Sequence, residues 1–318
     1  MKKILLGISI AIVLIFVGAF FYYDHEIHRV REFNKIIEIK QGVPLKVSLK
    51  PLGINENLAF KYYLRKKNQG KDIKAGYYEI RGKYNIIELI DILEEGKQKL
   101  YKLTIPEGYS LDQIIQVLTK DGKGTKESVT KALSEIDWFP YPTPNGNFEG
   151  YLYPETYFYA DNASEKIIIE KMLRQFLKKF PADKYPDKEE FYKKLIMASI
   201  IEREAKLSQE KPLMASVFYN RMKKGMTLSS DATVNYVYNY QKKRMYYKDL
   251  EIDSPYNTYK YKGLPPAPIS NPDSKSIDAA FNPADTEYLF FVAVGDGSHY
   301  FSKTYREHLD IQKQNRKK

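Results

Sequence analysis

The first pattern in the chain is an uncharged, mostly apolar run from residue 4 to residue 23, which follows two lysines, Lys2 and Lys3. Twenty such residues are just enough to cross a bilayer as one helix. The lysines favour a cytoplasmic N-terminus, and the tyrosines that end the run lie where an interfacial aromatic belt would be. A cleaved signal peptide is the alternative, but residues 18–23 offer no good small-x-small cleavage site. We therefore predict an uncleaved anchor over residues 1–23, with the remaining chain on the periplasmic or extracellular side of the cytoplasmic membrane.

The pattern changes after a charged stretch, residues 24–40, that we interpret as a short helix or stalk. A small βα module is predicted over residues 41–119, where the order strand, turn and helix occurs twice. This order loosely resembles LysM-type modules, which bind N-acetylglucosamine polymers, and a purely structural spacer explains it equally well. The predicted elements are a strand at Val43–Leu49, a helix at Asn57–Asn68, a strand at Gly76–Ile80, a helix at Asn85–Leu93 ended by Gly96, a strand at Tyr101–Ile105 and a helix from Ser110.

Residues 120–318 are predicted to form a mixed α+β domain, after a connection within residues 120–147. Helical periodicity and capping residues indicate several helices, and an apolar strand and its return strand flank a glycine-rich turn. The domain lacks the regular βα alternation that would argue for a barrel, and residues 253–273 are predicted as loops. The predicted helices are Ser164–Phe180, Asp187–Glu204, Gln209–Lys224, one capped by Ser230 or Asp231, Ser274–Phe281 and a basic terminal helix; the strands are Tyr288–Val294 and His299–Ser302.

Composition narrows the possible functions. The 318 residues carry a net charge of +11, four histidines and no cysteine. Disulfides, thiolate metal sites and a cysteine nucleophile are thereby excluded, and no two histidines have the spacing of a zinc motif, so we expect no metal. The sequence has no glycine loop of the kind that cradles phosphates, so nucleotide use has no support. The lysines are spread along the chain, which fits a solvated surface or an anionic lipid or wall polymer, and we expect no nucleic-acid partner outside the membrane.

Glu204 is the candidate catalytic residue, because it is an acid on an apolar part of a predicted helix. At about 100° per residue its side chain projects between Met197 and Ile200. Scarce water there should raise the pKa of the carboxyl, and an acid that stays protonated near neutral pH can protonate a glycosidic oxygen. A structural ion pair at a helix end is the alternative. Glu202 projects about 200° away beside residues that are also apolar, so helical geometry does not choose between the two acids.

Six separated segments place polar groups between aromatic residues or prolines. Together and in this order they resemble the endolytic murein transglycosylases of the MltG or YceG-like family, although any one of them alone would be a weak match. The likeness extends from the predicted anchor to about His308 and is strongest from Glu149 onward. The segments are Phe148–Tyr157, Met197–Ala205, Ala215–Met222, Leu228–Val234, Ser254–Tyr259 and Gly263–Ile269.

The resemblance implies a membrane-anchored enzyme without a cofactor that cuts glycan strands of peptidoglycan internally, between N-acetylmuramic acid and N-acetylglucosamine, and leaves 1,6-anhydro ends. The family's catalytic glutamate is the second acid of a Glu-x-Glu segment, which corresponds to Glu204, and Glu202 is then expected to pair with a Lys or Arg. Some members have Thr at the next position, where this chain has Ala205. The family also implies a LysM-like module before the catalytic domain and action near nascent glycan that ends elongation, with peptidoglycan synthases as candidate partners.

The candidate substrate-binding residues lie in the same segments, and each has a structural alternative. Glu155 or Asp231 could stabilise positive charge on the anomeric carbon, and Asp231 could instead cap its helix. Asn220 could bind an acetamido group or brace a loop. The remaining candidates could contact sugars, and each has a purely structural alternative. The alternatives are core packing for Tyr153, Tyr157, Tyr256 and Tyr259, a rigid turn for Asn257 and Pro265-Pro266, and a surface strand for His299.

Two other functions remain compatible with the sequence. A hydrolytic muramidase would use the same cleft with a positioned water and a second carboxylate about 5–10 Å from the first. A membrane-tethered wall-binding scaffold would keep the fold and have an inactive cleft.

Overall fold

A computed structural model describes residues 2–40, 42–54, 57–67, 70, 73–96, 101–159 and 163–315. The chain forms two compact units, one of residues 1–101 with 158–162 and one of residues 102–157 with 163–318. The two copies of the predicted strand–turn–helix order therefore fall largely in different units. The LysM-like character of residues 41–119 stays a prediction.

The first unit is built around a two-stranded antiparallel sheet. Arg31 lies opposite Tyr84 at one end of the sheet and Ile39 lies opposite Gly76 at the other. The buried side chains of this unit come from both strands and from the helices around them. Its elements are helix α1 (Lys2–His28), strand β1 (Arg31–Ile39), helices α2 (Leu45–Ser48) and α3 (Leu58–Lys67), strand β2 (Gly76–Tyr84) and helix α4 (Ile86–Glu95).

Helix α1 confirms that the N-terminal apolar run is helical. Its segment Gly7–His28 has a mean hydropathy of 1.9 and is long and apolar enough to cross a membrane. The interpretation of residues 24–40 as a charged helix or stalk is wrong beyond His28, because β1 follows. Phe33, Ile37 and Ile39 are buried at even spacing, as on one face of a strand, and the charged Lys35 at the intervening position of that face hid the pattern.

The strand predicted at Val43–Leu49 is also wrong, because a short helix, α2, lies there. Pro44 precedes it, and Leu45, Ser48 and Leu49 are buried at helical spacing. The other predicted elements of this unit are present. Asn85 caps α4 in a capping box, and Gly96 ends that helix with a φ of 73°. Two predicted boundaries lie outside the described residues. They are Gln41, the predicted start of the βα module, and Asn68, the predicted end of the helix that begins at Asn57.

The second unit is mixed α+β, as predicted. Strand β3 pairs with β4, and β5 pairs with β6 in an antiparallel register that places Phe290 opposite Ser302. Its elements are β3 (Tyr101–Thr104, of which Tyr101 belongs to the first unit), α5 (Leu111–Lys120), α6 (Lys126–Ser134), β4 (Thr156–Tyr159, of which Phe158 and Tyr159 belong to the first unit), α7 (Glu165–Lys179), α8 (Lys188–Glu204), α9 (Lys211–Lys223), α10 (Asp231–Val237), α11 (Ser274–Phe281), β5 (Phe290–Ala293), β6 (His299–Ser302) and α12 (Tyr305–Asn315).

Helix α8 lies at the centre of this unit. All seven residues from Leu195 to Ile201 are buried, so the helix is covered on every side, and it packs against α9, α10 and α11. Asp187 caps its N-terminus as predicted, by accepting the N–H of Glu190. Glu204 is its last residue and lies where the buried part of the helix ends. The predicted connection at 120–147 contains a helix, α6, which was not predicted.

Candidate active site

A cavity of about 600 Å³ lies at the C-terminal end of α8. Glu204 lines it, and the other walls come from α9, the segment before α10 with the first residue of α10, the loop that contains Tyr259, strand β5 and helix α12. The cavity is lined by Glu204, Arg221, Met226, Thr227, Ser229, Asp231, Tyr259, Phe290, Phe291, Tyr305, His308 and Gln312.

The Glu204 carboxyl is half-buried and held by the start of α10. The Ser230 hydroxyl donates a hydrogen bond of 2.5 Å to Glu204 Oε1. Burial raises the pKa of Glu204 and the Asp231 carboxylate raises it further, while Ser230, the Ala232 N–H and His299 lower it. The net pKa lies above that of an ordinary glutamate, which confirms the direction predicted from the apolar helix surface. Such a group keeps its proton to a higher pH than an ordinary glutamate and can release it to a basic oxygen.

Ser230 is placed by a network between the segment before α10 and the loop around Thr258. The Ser229 N–H donates to Thr258 O at 2.9 Å, and the Ser230 N–H donates to Thr258 Oγ1 at 3.1 Å. Thr233 Oγ1 lies 2.8 Å from Thr258 Oγ1. Ser229 has a φ of 50°, a left-handed conformation that is uncommon for a residue other than glycine. These contacts fix the turn that brings the Ser230 hydroxyl to Glu204.

Asp231 is a second carboxylate on the same cavity. It is exposed and occupies the first helical position of α10, while Ser230 is the N-cap residue, so the capping alternative for Asp231 is wrong. The Tyr259 hydroxyl donates to Asp231 Oδ1 at 2.6 Å. Of the sequence-predicted candidates, the structure therefore brings Glu204, Asp231 and Tyr259 to one cavity.

Arg221 lines the cavity from α9 and braces two of its walls. Its Nε donates to Leu289 O and its Nη1 to Leu228 O, each at 2.6 Å. Burial lowers the pKa of Arg221, while Tyr259 and Glu204 raise it. The guanidinium thus ties the segment before α10 to the residue that precedes strand β5 and puts a positive charge on the cavity wall.

Glu202 points away from this cavity into a buried ion-pair network. Its Oε2 lies 3.0 Å from Lys211 Nζ, which lies 2.8 Å from Asp273 Oδ1. The Ser276 hydroxyl and the Asp273 N–H also donate to Glu202. The prediction that Glu202 pairs with a Lys or Arg is confirmed. This network joins α8, α9 and α11, so the two acids of Glu-x-Glu have separate positions in the fold.

Glu149 is a second acid with a raised pKa, and it does not line the cavity. It is only 2% exposed, and its carboxyl accepts hydrogen bonds from the Leu111 N–H, Asn271 Nδ2 and the Tyr236 hydroxyl. Burial raises its pKa to about 8. With several donors around it and little exposure, Glu149 holds the N-terminus of α5 and the loop at Asn271 together.

The other candidate substrate-binding residues lie away from the cavity lining. Asn220 Nδ2 donates to the carbonyls of Thr286 and Tyr288, and Asn257 Nδ2 donates to the carbonyls of Leu250 and Ile252, so both brace loops. The contacts of the others are Tyr153 with Ser274, Tyr157 with the Tyr153 carbonyl, Glu155 with Gln175, and Tyr256 with the ring of Tyr236.

His299 is paired with a buried acid. Its Nδ1 lies 2.8 Å from Glu210 Oε2, and its backbone N–H donates to the other carboxylate oxygen at 3.0 Å. It is not part of the cavity lining. The β5–β6 hairpin is thus tied to the segment before α9.

Sequence reasoning missed several residues of the site. Arg221 and Ser230 lie inside the quoted segments and were passed over in favour of Asn220 and Asp231. The aromatic residues of β5 and α12 carry no local motif, and only the tertiary fold brings them to Glu204. Within the described part of the chain, no group of three or more His, Asp and Glu side chains is arranged to hold a metal ion.

Comparison with known proteins gives consistent matches. A model of the YceG-like family matches residues 38–314. An endolytic murein transglycosylase of Bacillus subtilis strain 168 is 35% identical over 93% of this chain and 89% of its own length. One of Streptococcus pneumoniae serotype 2 is 28% identical over 96% of this chain and 64% of its own length. A crystal structure of a putative yceG-like protein from Listeria monocytogenes matches 88% of this chain and all of that chain, with 36% identity and a TM-score of 0.59.

Proposed function

We propose that this chain, which belongs to the YceG-like family, is a lytic transglycosylase that cuts the β-1,4 bond between N-acetylmuramic acid and N-acetylglucosamine inside peptidoglycan strands. The names of its relatives in Bacillus subtilis and Streptococcus pneumoniae support the substrate and the endolytic mode. The single observation that carries the chemistry is Glu204, an acid with a raised pKa at the wall of a cavity large enough for sugar residues.

The reaction needs only one proton-transferring group. The Glu204 carboxyl gives its proton to the leaving O4 of N-acetylglucosamine as the bond from that oxygen to C1 of N-acetylmuramic acid breaks. The C6 hydroxyl of the same muramic acid attacks C1 and returns its proton to Glu204, so no water is consumed. Because the nucleophile belongs to the substrate, intramolecular attack supplies part of the barrier reduction, up to roughly 7–11 kcal/mol for a well-oriented group.

The neighbours of Glu204 have roles in the same cycle. Positive charge develops at C1 in the transition state, and we assign its stabilisation to the Asp231 carboxylate because Asp231 lines the same cavity. Asp231 also favours the protonated form of Glu204 by repelling the ionised form. The Ser230 hydroxyl donates to Oε1 and holds the carboxyl at the cavity.

The N-terminal helix suggests where this reaction takes place. We propose that α1 anchors the protein in the cytoplasmic membrane, with the two lysines inside and the second unit outside. Cleavage of strands as they emerge beside peptidoglycan synthases would then end their elongation.

The product distinguishes this proposal from its rivals. We expect purified enzyme and peptidoglycan to give fragments whose muramic acid ends are lighter than ordinary reducing ends by one water, as measured by mass spectrometry. Fragments with only reducing ends would replace the proposal with a hydrolytic muramidase, which Asp231 favours as a second carboxylate on the same cavity. Intact strands after incubation would reject both and favour a wall-binding scaffold.

A further inference from the structure

Helix α3 of the first unit exposes a stripe of apolar and basic side chains. Phe60 and Tyr63 are buried in the core of the unit, on the inner side of the helix. Leu58, Tyr62 and Lys66 follow one another at four-residue spacing on the outer side, and all three are exposed. Leu58 is 79% exposed and has Tyr62 as its neighbour one turn away, so the two form an apolar patch. Such patches mark interaction surfaces.

This stripe borders a groove of about 520 Å³ between α3 and α1. The ring of Tyr23 in α1 meets the ring of Tyr62 edge to face, with the ring centroids 5.4 Å apart. Just before α3, Asn57 Nδ2 donates to Glu26 Oε2 at 2.9 Å, so α3 is held beside the end of the apolar run of α1. The residues of α1 that line the groove are Phe16, Ala19, Phe20, Tyr22 and Tyr23.

The side of α1 that faces the groove changes its surroundings along the helix. Phe16, Phe20, Tyr23 and Ile27 lie on this one side. Ile27 is buried and Tyr23 packs against the core of the unit, whereas Phe20 is exposed and Phe16 is 71% exposed. In a helix that spans the membrane, the exposed part of this side faces lipid. The outer side of α3 borders that part, so its apolar patch lies at the edge of the lipid.

Helix α3 is also basic. It contains four lysine or arginine residues, all exposed, and no aspartate or glutamate. Lys66 Nζ lies 5.8 Å from the centre of the Tyr62 ring, so a positive charge ends the apolar stripe. A lysine at such a place keeps its apolar stem in the membrane and its ammonium group at the phosphates. An exposed apolar stripe edged by basic residues is typical of helices that lie in the membrane surface.

We propose that α3 docks into the outer surface of the membrane that α1 spans, with Leu58 and Tyr62 among the upper acyl chains and Lys66 at the phosphate of an anionic phospholipid. This inference rests on the proposed anchor, because lipid surrounds α1 only if α1 spans the membrane. Lipid is the occupant because the groove is continuous with the lipid-facing side of α1 and carries the charge that complements anionic headgroups. Docking holds the first unit against the membrane, where α1 alone would leave it on a tether.

Fluorescence quenching in vesicles tests this docking, and the absence of cysteine from the chain allows one label per protein. The full-length Leu58→Cys protein, carrying an environment-sensitive fluorophore, would be reconstituted in vesicles of phosphatidylcholine and phosphatidylglycerol. We expect quenching by lipids that carry a nitroxide high on the acyl chain, and the same result with Tyr62→Cys. Glu38→Cys places the label on an exposed residue near the end of β1 that is farther along the chain from α1, and its label should not be quenched.

Lys66→Gln tests the contribution of charge. Removal of one lysine from an anionic surface should lower the ratio of docked to undocked α3 about fivefold, the equivalent of about 1 kcal/mol. The quenched fraction of the label at Leu58→Cys measures this ratio. Lys40→Gln changes an exposed lysine just after β1 and should leave the ratio unchanged. Equal ratios in the two variants would contradict the contact of Lys66 with phosphate.

Phe20→Cys separates failure of the docking from failure of the anchor, because its label lies within the apolar run. Quenching at Phe20→Cys without quenching at Leu58→Cys would overturn the docking and leave the anchor standing. A lack of quenching at Phe20→Cys would reject the anchor and the docking with it. None of these measurements involves glycan cleavage, so the proposed reaction is tested separately.

Two further results would overturn the docking. Equal quenching at Leu58→Cys and Glu38→Cys would mean that the unit adsorbs to vesicles without a preferred side. A Leu58→Cys label whose emission is shifted to shorter wavelength, but which nitroxide lipids do not quench, would assign the groove to a second copy of the chain.

Discussion

At the scale of single residues, the protonation of Glu204 depends on burial and on two neighbouring side chains, Asp231 and Ser230. Burial and Asp231 favour the protonated acid, and the Ser230 hydroxyl favours the ionised form. A donor for a leaving oxygen must be protonated before the bond breaks and must tolerate ionisation afterwards. The combination of an apolar helix end with one strong hydrogen bond meets both requirements.

Asp231→Asn should shift the pH dependence of the reaction. Because the Asp231 carboxylate raises the pKa of Glu204, its removal lowers that pKa. The rate falls as pH rises through the pKa of Glu204, since the ionised carboxyl has no proton to give. We therefore expect the descending limb of the profile of kcat/KM against pH to move to lower pH in the Asp231→Asn enzyme.

Tyr259→Phe is the matched control for this shift. It removes the hydrogen bond to Asp231 and keeps the negative charge that acts on Glu204. The descending limb of the pH profile of the Tyr259→Phe enzyme should stay near that of the unmodified enzyme, even if the substitution changes the value of kcat/KM. A limb at the same pH in the Asp231→Asn enzyme would show that Asp231 does not set the protonation of the acid.

At the scale of elements, α8 positions the acid, and the Glu202 network positions α8. Lys211 is 3% exposed and forms ion pairs with Glu202 and Asp273, which come from α8 and the N-cap of α11. A buried charge is tolerable only when it is paired. The first acid of Glu-x-Glu thus supports the structure, while the second faces the cavity.

Lys211→Met should destabilise the second unit strongly. It keeps the length of the side chain and leaves two buried carboxylates without their cation, at a cost of about 3–5 kcal/mol. Urea denaturation followed by tryptophan fluorescence measures the free energy of unfolding. Lys303→Met removes an exposed pair with Glu287 and should change it little. Similar values for the two variants would mean that the Lys211 network does not hold these helices together.

At the scale of the whole molecule, the sequence predicted most elements of the second unit and the direction of the pKa of Glu204. Helix α11 lies at the predicted residues, and α8 ends at Glu204, because capping residues and apolar periodicity are local signals. Strand β1 was missed because its buried residues alternate with charged ones in a segment next to the apolar helix.

The complete site could not be predicted, for a physical reason. Asn220 and Asn257 were candidates because polar residues among aromatics suggest binding, yet their amides satisfy buried loop carbonyls. The choice between binding a ligand and satisfying the backbone depends on tertiary contacts. His308 joins Glu204 at the cavity across about a hundred positions of sequence, and local patterns carry no information about such distances.

The predicted anchor can be tested in cells, because the chain contains no cysteine. In intact cells whose outer surface is accessible to a membrane-impermeant maleimide, Asp310→Cys should be labelled, since Asp310 is exposed on α12 and is proposed to lie outside. Lys3→Cys should be labelled only after permeabilisation, since Lys3 precedes the apolar run of residues 4–23 and is proposed to lie inside. The proposed orientation would be contradicted if Lys3→Cys were labelled in intact cells. It would also be contradicted if neither variant were labelled in intact cells.

The most direct measurement of the central claim is product formation by the Glu204→Gln enzyme. The change keeps the shape of the side chain and its hydrogen bond with Ser230, and it removes the transferable proton. We expect the melting temperature to stay the same or rise, because no acid with a raised pKa remains to be ionised in the folded state. We also expect anhydro-ended fragments to disappear from the mass spectrum, while Glu189→Gln, an exposed change on the same helix, keeps them. Anhydro products at the unmodified rate from the Glu204→Gln enzyme would contradict the account.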